Sequence, residues 1–307
     1  MKPFQQRAFH LPGFLALALC SLTCSPALLA DLNTGLVAWY PFDGNASDMS
    51  GNGNHGTVSG ATLGADRHGV AGKAYSFDGV DDYVQVASSA ELRDLTEYTV
   101  SLWAWAQNFD ASYNPLVTKM SGDVSSFEIY GGANGSDGFS IVHNRGSTVT
   151  SHSYSALPSS RWNHLLITYS GGTLSKYDDG SLHVSLTGWP NPEHHDFPIY
   201  IGKGTWQGGD TSLYFHQGLI DEVRIYDRAL SANEVTQLYH LERPGSPLTD
   251  ANFTTAVNLW FSDEANATAT YGHISAWDVS GVTNMANAFK DRTSFNEDIS
   301  AWDVGNV

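Results

Sequence analysis

The stretch GLIDEVRIYDRALSANEV, at residues 218–235, combines two local signals, one for a strand and one for a helix. Its first half, GLIDEVRIY, is rich in β-branched and aromatic side chains and is bounded by turn-forming residues, which predicts a strand. Its second half predicts a helix, because Ser231 and Glu234 form a capping box in which the hydroxyl and the carboxylate each accept a hydrogen bond from a backbone N–H. We therefore expect a strand that leads directly into a short helix.

Nine more strand-sized runs lie upstream of this stretch, beginning at residue 35. They alternate apolar and polar side chains and are separated by Gly, Asn, Asp and Ser, with no helix-length periodic segment between them. The segment YDDGSL at 177–182 carries the Asp-Gly signal of a tight hairpin. Short strands at this spacing predict an all-β antiparallel sandwich.

The composition restricts the class of partner. The chain has 307 residues, with 15 Lys and Arg against 32 Asp and Glu, so its formal net charge is −17. An acidic surface repels nucleic acid and anionic lipid, and we expect neither as a partner. Aromatic residues make up 12% of the chain, which is too many for a disordered protein and suits a β-rich globular one.

The first thirty residues predict a signal peptide. Lys2 and Arg7 supply positive charge, FLALALCSL at 14–22 is an apolar run too short to span a bilayer, and Ala30 is a small residue before a plausible cleavage point. We therefore expect a secreted protein without membrane insertion after signal removal. Both cysteines lie in this segment, so the exported chain must be held by its core or by metal ions rather than by disulfides.

A repeat begins near the end of the chain. ISAWDV occurs at 274–279 and again at 299–304, which sets a period of 25 residues. A fixed period of this length indicates a stacked solenoid, and such an array needs at least about three units for stability. The sequence therefore predicts the front end of a longer protein, cut inside its repeat array.

These signals divide the chain into four segments: a signal peptide at 1–30, a β-sandwich at 31–243, a linker at 244–248, and a short helix plus the truncated start of the repeats at 249–307. The linker prediction follows from two prolines and a glycine within five residues. The helix prediction follows from Phe253, Val257 and Trp260, which share one helical face.

Two parts of the chain resemble known families. The runs GLVAWYPFDGNASDMSGNGNHGT, AYSFDGVDDYVQV, RWNHLLITYSGGTLSKYDDGSL and GLIDEVRIYDRALSANEV resemble, in this order, laminin-G-like domains of the concanavalin A-like lectin/glucanase superfamily. This resemblance implies a two-sheet jelly roll over residues 31–243, often with a bound calcium ion, that recognises carbohydrate or protein. Residues 249–307 resemble the BspA-type bacterial surface repeat, which implies surface display and adhesion.

Calcium ligands are expected in the loop DGNASDMSGNGNH, which concentrates Asp43, Asn45 and Asp48 among glycines. Calcium takes about six to eight oxygen ligands, and glycines allow backbone carbonyls to turn toward the ion. The resemblance implies that the first and last strands lie close together, which brings Asp221 within reach of the same structural ion. The alternative is that these side chains shape turns by bonding their own backbone.

A second acidic loop, FDGVDDYV, brings Asp78, Asp81 and Asp82 together in sequence. We expect these residues to form a turn with one structural hydrogen bond, and a second metal ion is the alternative.

The sequence favours a protein without catalytic activity. A glycosidase needs two carboxyl groups about 5–9.5 Å apart, whereas Asp221 and Glu222 are adjacent and strand alternation would point them to opposite faces. No Gly-x-Ser-x-Gly elbow occurs. His194 and His195 in EHHD have no second cluster at zinc-ligand spacing and are interpreted as solvated loop residues.

Aromatic side chains are the expected contacts for a sugar. Trp206 in GKGTWQGGD and Tyr113 in FDASYNP lie in polar loops and are the candidate ligand-binding residues, with packing lids as the alternative. Strand alternation assigns the remaining candidates to the core: Trp39, Trp103, Trp105 and Trp162.

Together these observations predict a secreted or surface-displayed adhesion protein with a calcium-stabilised module that binds a glycan or a surface protein. One alternative is a structural spacer that presents a repeat-based adhesin. The other is a non-catalytic module of a larger glycan-active enzyme.

Overall fold

The computed structural model describes residues 32–107, 109, 114–121, 124–133, 136–145, 150–205, 213–243, 245, 248–300 and 302–307. The predicted signal peptide lies outside the described residues, as do Tyr113 and Trp206.

Strands dominate the described part of the chain up to residue 226. They are β1 (Leu36–Tyr40), β2 (Gly56–Ser59), β3 (Thr62–Ala65), β4 (Ala71–Asp78), β5 (Tyr83–Val86), β6 (Tyr98–Trp105), β7 (Asn114–Ser121), β8 (Val124–Ala133), β9 (Ser136–Arg145), β10 (Thr150–Ala156), β11 (Trp162–Ser170), β12 (Thr173–Asp178), β13 (Ser181–Thr187), β14 (Ile199–Ile201), β15 (Lys203–Thr205), β16 (Leu213–Phe215) and β17 (Gln217–Tyr226). The helices are α1 (Ala90–Arg93), α2 (Ala232–Glu242), α3 (Phe253–Ser262) and α4 (Glu264–Tyr271).

The strands form two large antiparallel sheets. The first sheet has the order β13-β12-β11-β6-β17-β4-β3, and β1 also pairs with β17. The second sheet has the order β10-β9-β8-β7-β14-β5-β2, while β15 and β16 form a small hairpin. This architecture confirms the predicted all-β, two-sheet sandwich, although the short strands outnumber the ten runs read from the sequence.

The main core lies between the two sheets. Alternate residues of the central strands fill it, including Val100 and Leu102 of β6 and Ile167 of β11, each fully buried. Rings such as Phe127 of the second sheet pack against them, and Tyr98 stacks on Phe127 with the ring centroids 5.2 Å apart. Burial of these large side chains is the main source of stability for a sandwich of this kind.

Helix α2 covers the outer face of the first sheet. Val235 and Leu238 on its inner side pack with Leu166, Tyr177 and Tyr226, which point outward from the sheet. The predicted capping box is confirmed at its start, since the Ser231 N–H donates to Glu234 Oε2 at 2.7 Å and the Glu234 N–H donates to Ser231 Oγ at 3.3 Å. The central strands are therefore buried on both faces.

The hairpin predicted at YDDGSL is confirmed between β12 and β13. Asp179 and Gly180 both adopt positive φ angles, 47° and 74°, as a type I′ turn requires. The glycine is also needed for space, because a Cβ at Gly180 would lie 2.7 Å from the Tyr239 ring of α2. The turn and the helix are thus packed tightly together.

A second hydrophobic core is formed by residues from 248 onward. Phe253, Val257 and Trp260 of α3 are buried in it, which confirms the predicted helix and its apolar face. Trp277 and Trp302, one repeat apart, stack with centroids 6.1 Å apart and ring planes 9° from parallel. The 25-residue period therefore corresponds to a stacked structural unit.

Within the described residues, no helix has both the length and the apolar composition needed to cross a membrane.

Candidate functional site

Asp48, one of the predicted calcium ligands, is held by four donors from its own loop and from β1. Its Oδ1 accepts from the backbone N–H groups of Trp39 at 3.0 Å and Ser50 at 2.8 Å. Its Oδ2 accepts from the Asn54 N–H and the Ser50 hydroxyl, both at 2.9 Å. Burial opposes ionisation, but these hydrogen bonds outweigh it and lower the pKa of Asp48.

The other two residues of this loop make local contacts. Asp43 forms an exposed ion pair with Lys73 at 3.0 Å, and Asn45 Oδ1 accepts from the Ser47 N–H at 2.8 Å. The second contact is the turn-shaping bond that the sequence offered as the alternative. In this structure the predicted calcium ligands do not lie together as one group; they are Asp43, Asn45, Asp48 and Asp221. Calcium binding at this loop stays a prediction.

Asp221, the fourth predicted ligand, is buried at a β-bulge. The register of β17 against β6 shifts between Asp221 and Arg224, and Glu222 adopts a positive φ of 49°. As a result both carboxylates face Arg67, which lies 2.5 Å from Asp221 and 3.6 Å from Glu222. The expectation that these adjacent acids point to opposite faces is therefore wrong, because it assumed an unbroken strand.

These residues belong to a buried charge network, which we define as Arg67, Asp221, Glu222, Arg224 and Glu242. Glu242, from the end of α2, accepts from Arg224 Nε at 2.7 Å. Burial raises the pKa of Asp221 and that of Glu242, the latter to about 7, whereas the arginines outweigh burial at Glu222 and lower its pKa. Three carboxyl groups facing two guanidinium groups thus favour retention of one proton.

Neutral partners complete this network. Trp103 donates from Nε1 to Glu242 at 3.0 Å, and His164 Nε2 lies 3.7 Å from the same carboxyl group. Burial lowers the pKa of His164 to about 3, so the imidazole is uncharged at neutral pH. Through Glu242, the network connects α2 to Trp103 of β6 and Arg224 of β17 in the first sheet.

Next to this network, a groove of about 440 Å³ opens between the end of α2 and the first sheet. Four aromatic side chains line it, and we call it the aromatic groove: Trp103, Trp105, Trp162 and Tyr239. Trp105 and Trp162 are cross-strand partners on β6 and β11, so their side chains lie side by side on one face.

The prediction that Trp103, Trp105 and Trp162 belong to the core is correct for the buried Trp103 but wrong for Trp105 and Trp162. Their side chains project from the outer face, where α2 buries Trp103 but leaves Trp105 and Trp162 only partly covered. Alternation identifies which residues share a face but cannot say which face meets the second sheet. Trp39 likewise packs on the outer face, against the cluster beneath α2.

Polar groups at the rim of the aromatic groove were not identified from the sequence. They include Arg161 and Arg243, together with Asp179, which pairs with Arg161 at 2.9 Å. Ser160, also at the rim, adopts a positive φ of 58°. The sequence signal that could have found this site is Arg161-Trp162 at a strand start, opposite the Trp-x-Trp of β6.

Within the described residues, the carboxylates of the acidic loop at 78–82 lie close enough together to hold a metal ion. The oxygens of Asp78, Asp81 and Asp82 lie within 4.8 Å of one another. The expected turn is present, since Asp78 Oδ1 accepts from the Val80 N–H at 2.8 Å and Asp82 Oδ2 accepts from the Asp78 N–H at 2.9 Å.

Comparison with protein families agrees with this fold. The model of the concanavalin A-like lectin/glucanases superfamily matches residues 78–236, just over half of the chain, and the chain belongs to this superfamily. The model described as a Mycoplasma protein of unknown function, DUF285, matches residues 253–307. A search of curated proteins found no match.

Several solved structures are similar to this chain in fold. Domain 4 of AbnA, a GH43 extracellular arabinanase from Geobacillus stearothermophilus solved with arabinotriose, has a TM-score of 0.54 at 24% identity, covering 66% of this chain and 98% of that one. The binding domain of Paraclostridial Mosquitocidal Protein 1 has a TM-score of 0.53 at 18% identity, covering 68% of this chain and 52% of that one.

A structure of botulinum neurotoxin type C, whose cell entry depends on two ganglioside molecules, has a TM-score of 0.55 at 14% identity. The match covers 72% of this chain and 55% of that one, so the chain spans about half the length of these toxin domains. Identities this low show a shared fold alone.

Proposed function

We propose that this protein is a secreted or surface-displayed binding protein whose jelly roll recognises carbohydrate at the aromatic groove, without catalysis. The observation that carries the proposal is the pair of partly exposed indoles, Trp105 and Trp162, side by side with polar groups around them. Sugars stack their C–H faces on such rings while polar groups read the hydroxyls.

The solved structures similar to this chain support a binding role. One is an arabinanase domain in complex with arabinotriose, and another is a neurotoxin that depends on gangliosides for cell entry. Surface display and adhesion are supported by the resemblance of residues 249–307 to bacterial surface repeats and by the signal-like first thirty residues.

A glycan-array screen of the full chain tests the proposal, followed by titration of the best ligand with Trp105→Ala and Trp162→Ala. We expect each variant to bind about tenfold more weakly or worse, which corresponds to about 1.4 kcal/mol of lost contact. The matched control is Tyr83→Ala on β5 in the second sheet. A folded protein that binds no glycan would contradict the proposal and favour a structural spacer.

The similarity to an arabinanase domain favours one second candidate, a non-catalytic module of a larger glycan-active enzyme. In that case the ligand found on the array would also be a substrate of the longer protein. Binding by this chain without turnover, together with polysaccharide cleavage by the longer protein, would identify this function.

We also propose that calcium stabilises the sandwich, either at the loop containing Asp43 or at the acidic loop containing Asp81. Support comes from the density of oxygen donors in both loops. An ion present at about 100 times its Kd contributes about 2.7 kcal/mol, so excess chelator should lower the melting temperature by several degrees.

Two variants assign the ion to a loop. If the first loop binds it, Asp43→Ala abolishes the response to chelator, and if the acidic loop binds it, Asp81→Asn does so. A melting temperature that chelator leaves unchanged in the parent protein would rule out a stabilising ion.

A further inference from the structure

Arg243, the residue that ends α2, has an unused hydrogen-bonding edge. It lines the aromatic groove, and its guanidinium lies 6.0 Å from the centre of the Tyr239 ring. Its Nε and Nη2 atoms are buried and have no hydrogen-bond partner among the described residues. A buried donor without an acceptor destabilises the free protein, so such a group gains when an acceptor reaches it.

The geometry of this edge selects the acceptor. Nε and Nη2 stand side by side on one edge of the planar guanidinium, and their two N–H bonds run parallel. The two oxygens of one carboxylate match this fork, which gives a bidentate, charge-assisted pair. A sugar hydroxyl fills only one of the two positions.

The other cations of the groove are already neutralised. Arg67 is held by Asp221 at 2.5 Å in the buried charge network, and Arg161 pairs with Asp179 at 2.9 Å. The structure shows no ion pair for Arg243 with any described residue. On a chain of net charge −17, Arg243 is therefore a positive charge without an ion-pair partner among the described residues, in the groove that Trp105 and Trp162 also line.

We propose that the aromatic groove binds a carboxylate-bearing sugar, whose carboxylate pairs with the Nε–Nη2 edge of Arg243 while its ring stacks on Trp105 or Trp162. This inference rests on the proposed glycan-binding function and names the class of glycan. Because this edge is buried in the free groove, the pairing requires Arg243 to change its rotamer as the sugar enters, a change that is common on binding.

Matched pairs of probes test the carboxylate directly. Titration calorimetry of the full chain compares sialyllactose with its methyl ester and trigalacturonic acid with its trimethyl ester, so that the members of each pair differ in carboxylate charge and in the added methyl groups. We expect at least one acid to bind about tenfold or more tightly than its ester, as a charge-assisted bidentate pair predicts. Arg243→Lys keeps the charge but lacks the fork, and we expect it to lose most of this preference.

Controls separate this inference from the proposed function. Arg93→Gln, an exposed arginine of α1, should keep the preference, and Arg243→Gln provides a second variant if Arg243→Lys melts early. Equal binding of acid and ester, or tighter binding of sulfated lactose than of sialyllactose, would overturn the carboxylate assignment but leave glycan binding standing. If neither these probes nor the array shows binding by the folded protein, both proposals are wrong.

Discussion

Glu242 is enclosed by two donors, Arg224 Nε at 2.7 Å and Trp103 Nε1 at 3.0 Å, and its side chain is 2% exposed. Removing the carboxyl group leaves these two buried donors without an acceptor, which costs about 1–3 kcal/mol for each donor and about 2–6 kcal/mol in total. Glu242→Ala should therefore lower the free energy of unfolding by about this amount. Urea denaturation followed by Trp fluorescence measures it.

Glu242→Gln is the matched control for this change. Glutamine keeps an acceptor for the two donors and resembles the protonated acid that the raised pKa favours. Two guanidinium groups would then face two carboxylates, and we expect less than half of the loss seen with alanine. Equal losses from both variants would mean that the charge of Glu242, rather than its hydrogen bonds, holds α2.

Individual side chains differ most clearly from what the sequence predicts. Trp105 and Trp162 carry the same alternation signal as true core residues, and Asp221 with Glu222 carries no mark of the bulge that turns both toward Arg67. Each outcome depends on a neighbour that is distant in sequence. The bulge is set by pairing with β6, and the partial exposure of the indoles is set by where α2 ends.

At the scale of elements, the start of α2 was predictable because its signal is local. Ser231 and Glu234 are three residues apart and satisfy each other's backbone N–H groups whatever lies around them. Ser231→Ala should cost about 1 kcal/mol of unfolding free energy, as loss of an N-cap typically does. Thermal and urea denaturation measure this loss.

Asn233→Ala serves as the comparison on the same exposed turn of α2. It introduces a better helix former without touching the cap, so we expect no loss of stability. If both variants destabilise equally, the capping box contributes nothing beyond helix propensity.

At the scale of the whole molecule, the sandwich should be sensitive to acid. His143, His164 and His216 are fully buried, and burial lowers their pKa values to about 4, 3 and 4. A histidine kept neutral in the folded state contributes stability above its unfolded pKa of about 6.5, and this stability is lost as the pH falls. Between pH 6.5 and 5 each such group costs about 2 kcal/mol.

Glu242 opposes this trend, because its raised pKa adds stability as the pH falls from about 7 toward 4.5. The buried histidines outnumber the acids with raised pKa values, so the melting temperature should fall between pH 6.5 and 5. His216→Leu should reduce the slope, whereas the exposed His194→Gln should not. A melting temperature independent of pH over this range would show that the buried imidazoles titrate normally.

Features with local or periodic causes were predictable from the sequence: the strand-rich sandwich, the Asp-Gly hairpin, the capped helix and the 25-residue repeat. Side-chain alternation, turn chemistry and capping act between residues close in the chain, so they can be predicted from the sequence. The three-dimensional packing alone shows which face of β6 meets the second sheet, where Asp221 and Glu222 point, and that Arg243 lines the same groove as Trp105 and Trp162. Those outcomes depend on packing between segments far apart in the chain, which no local pattern records.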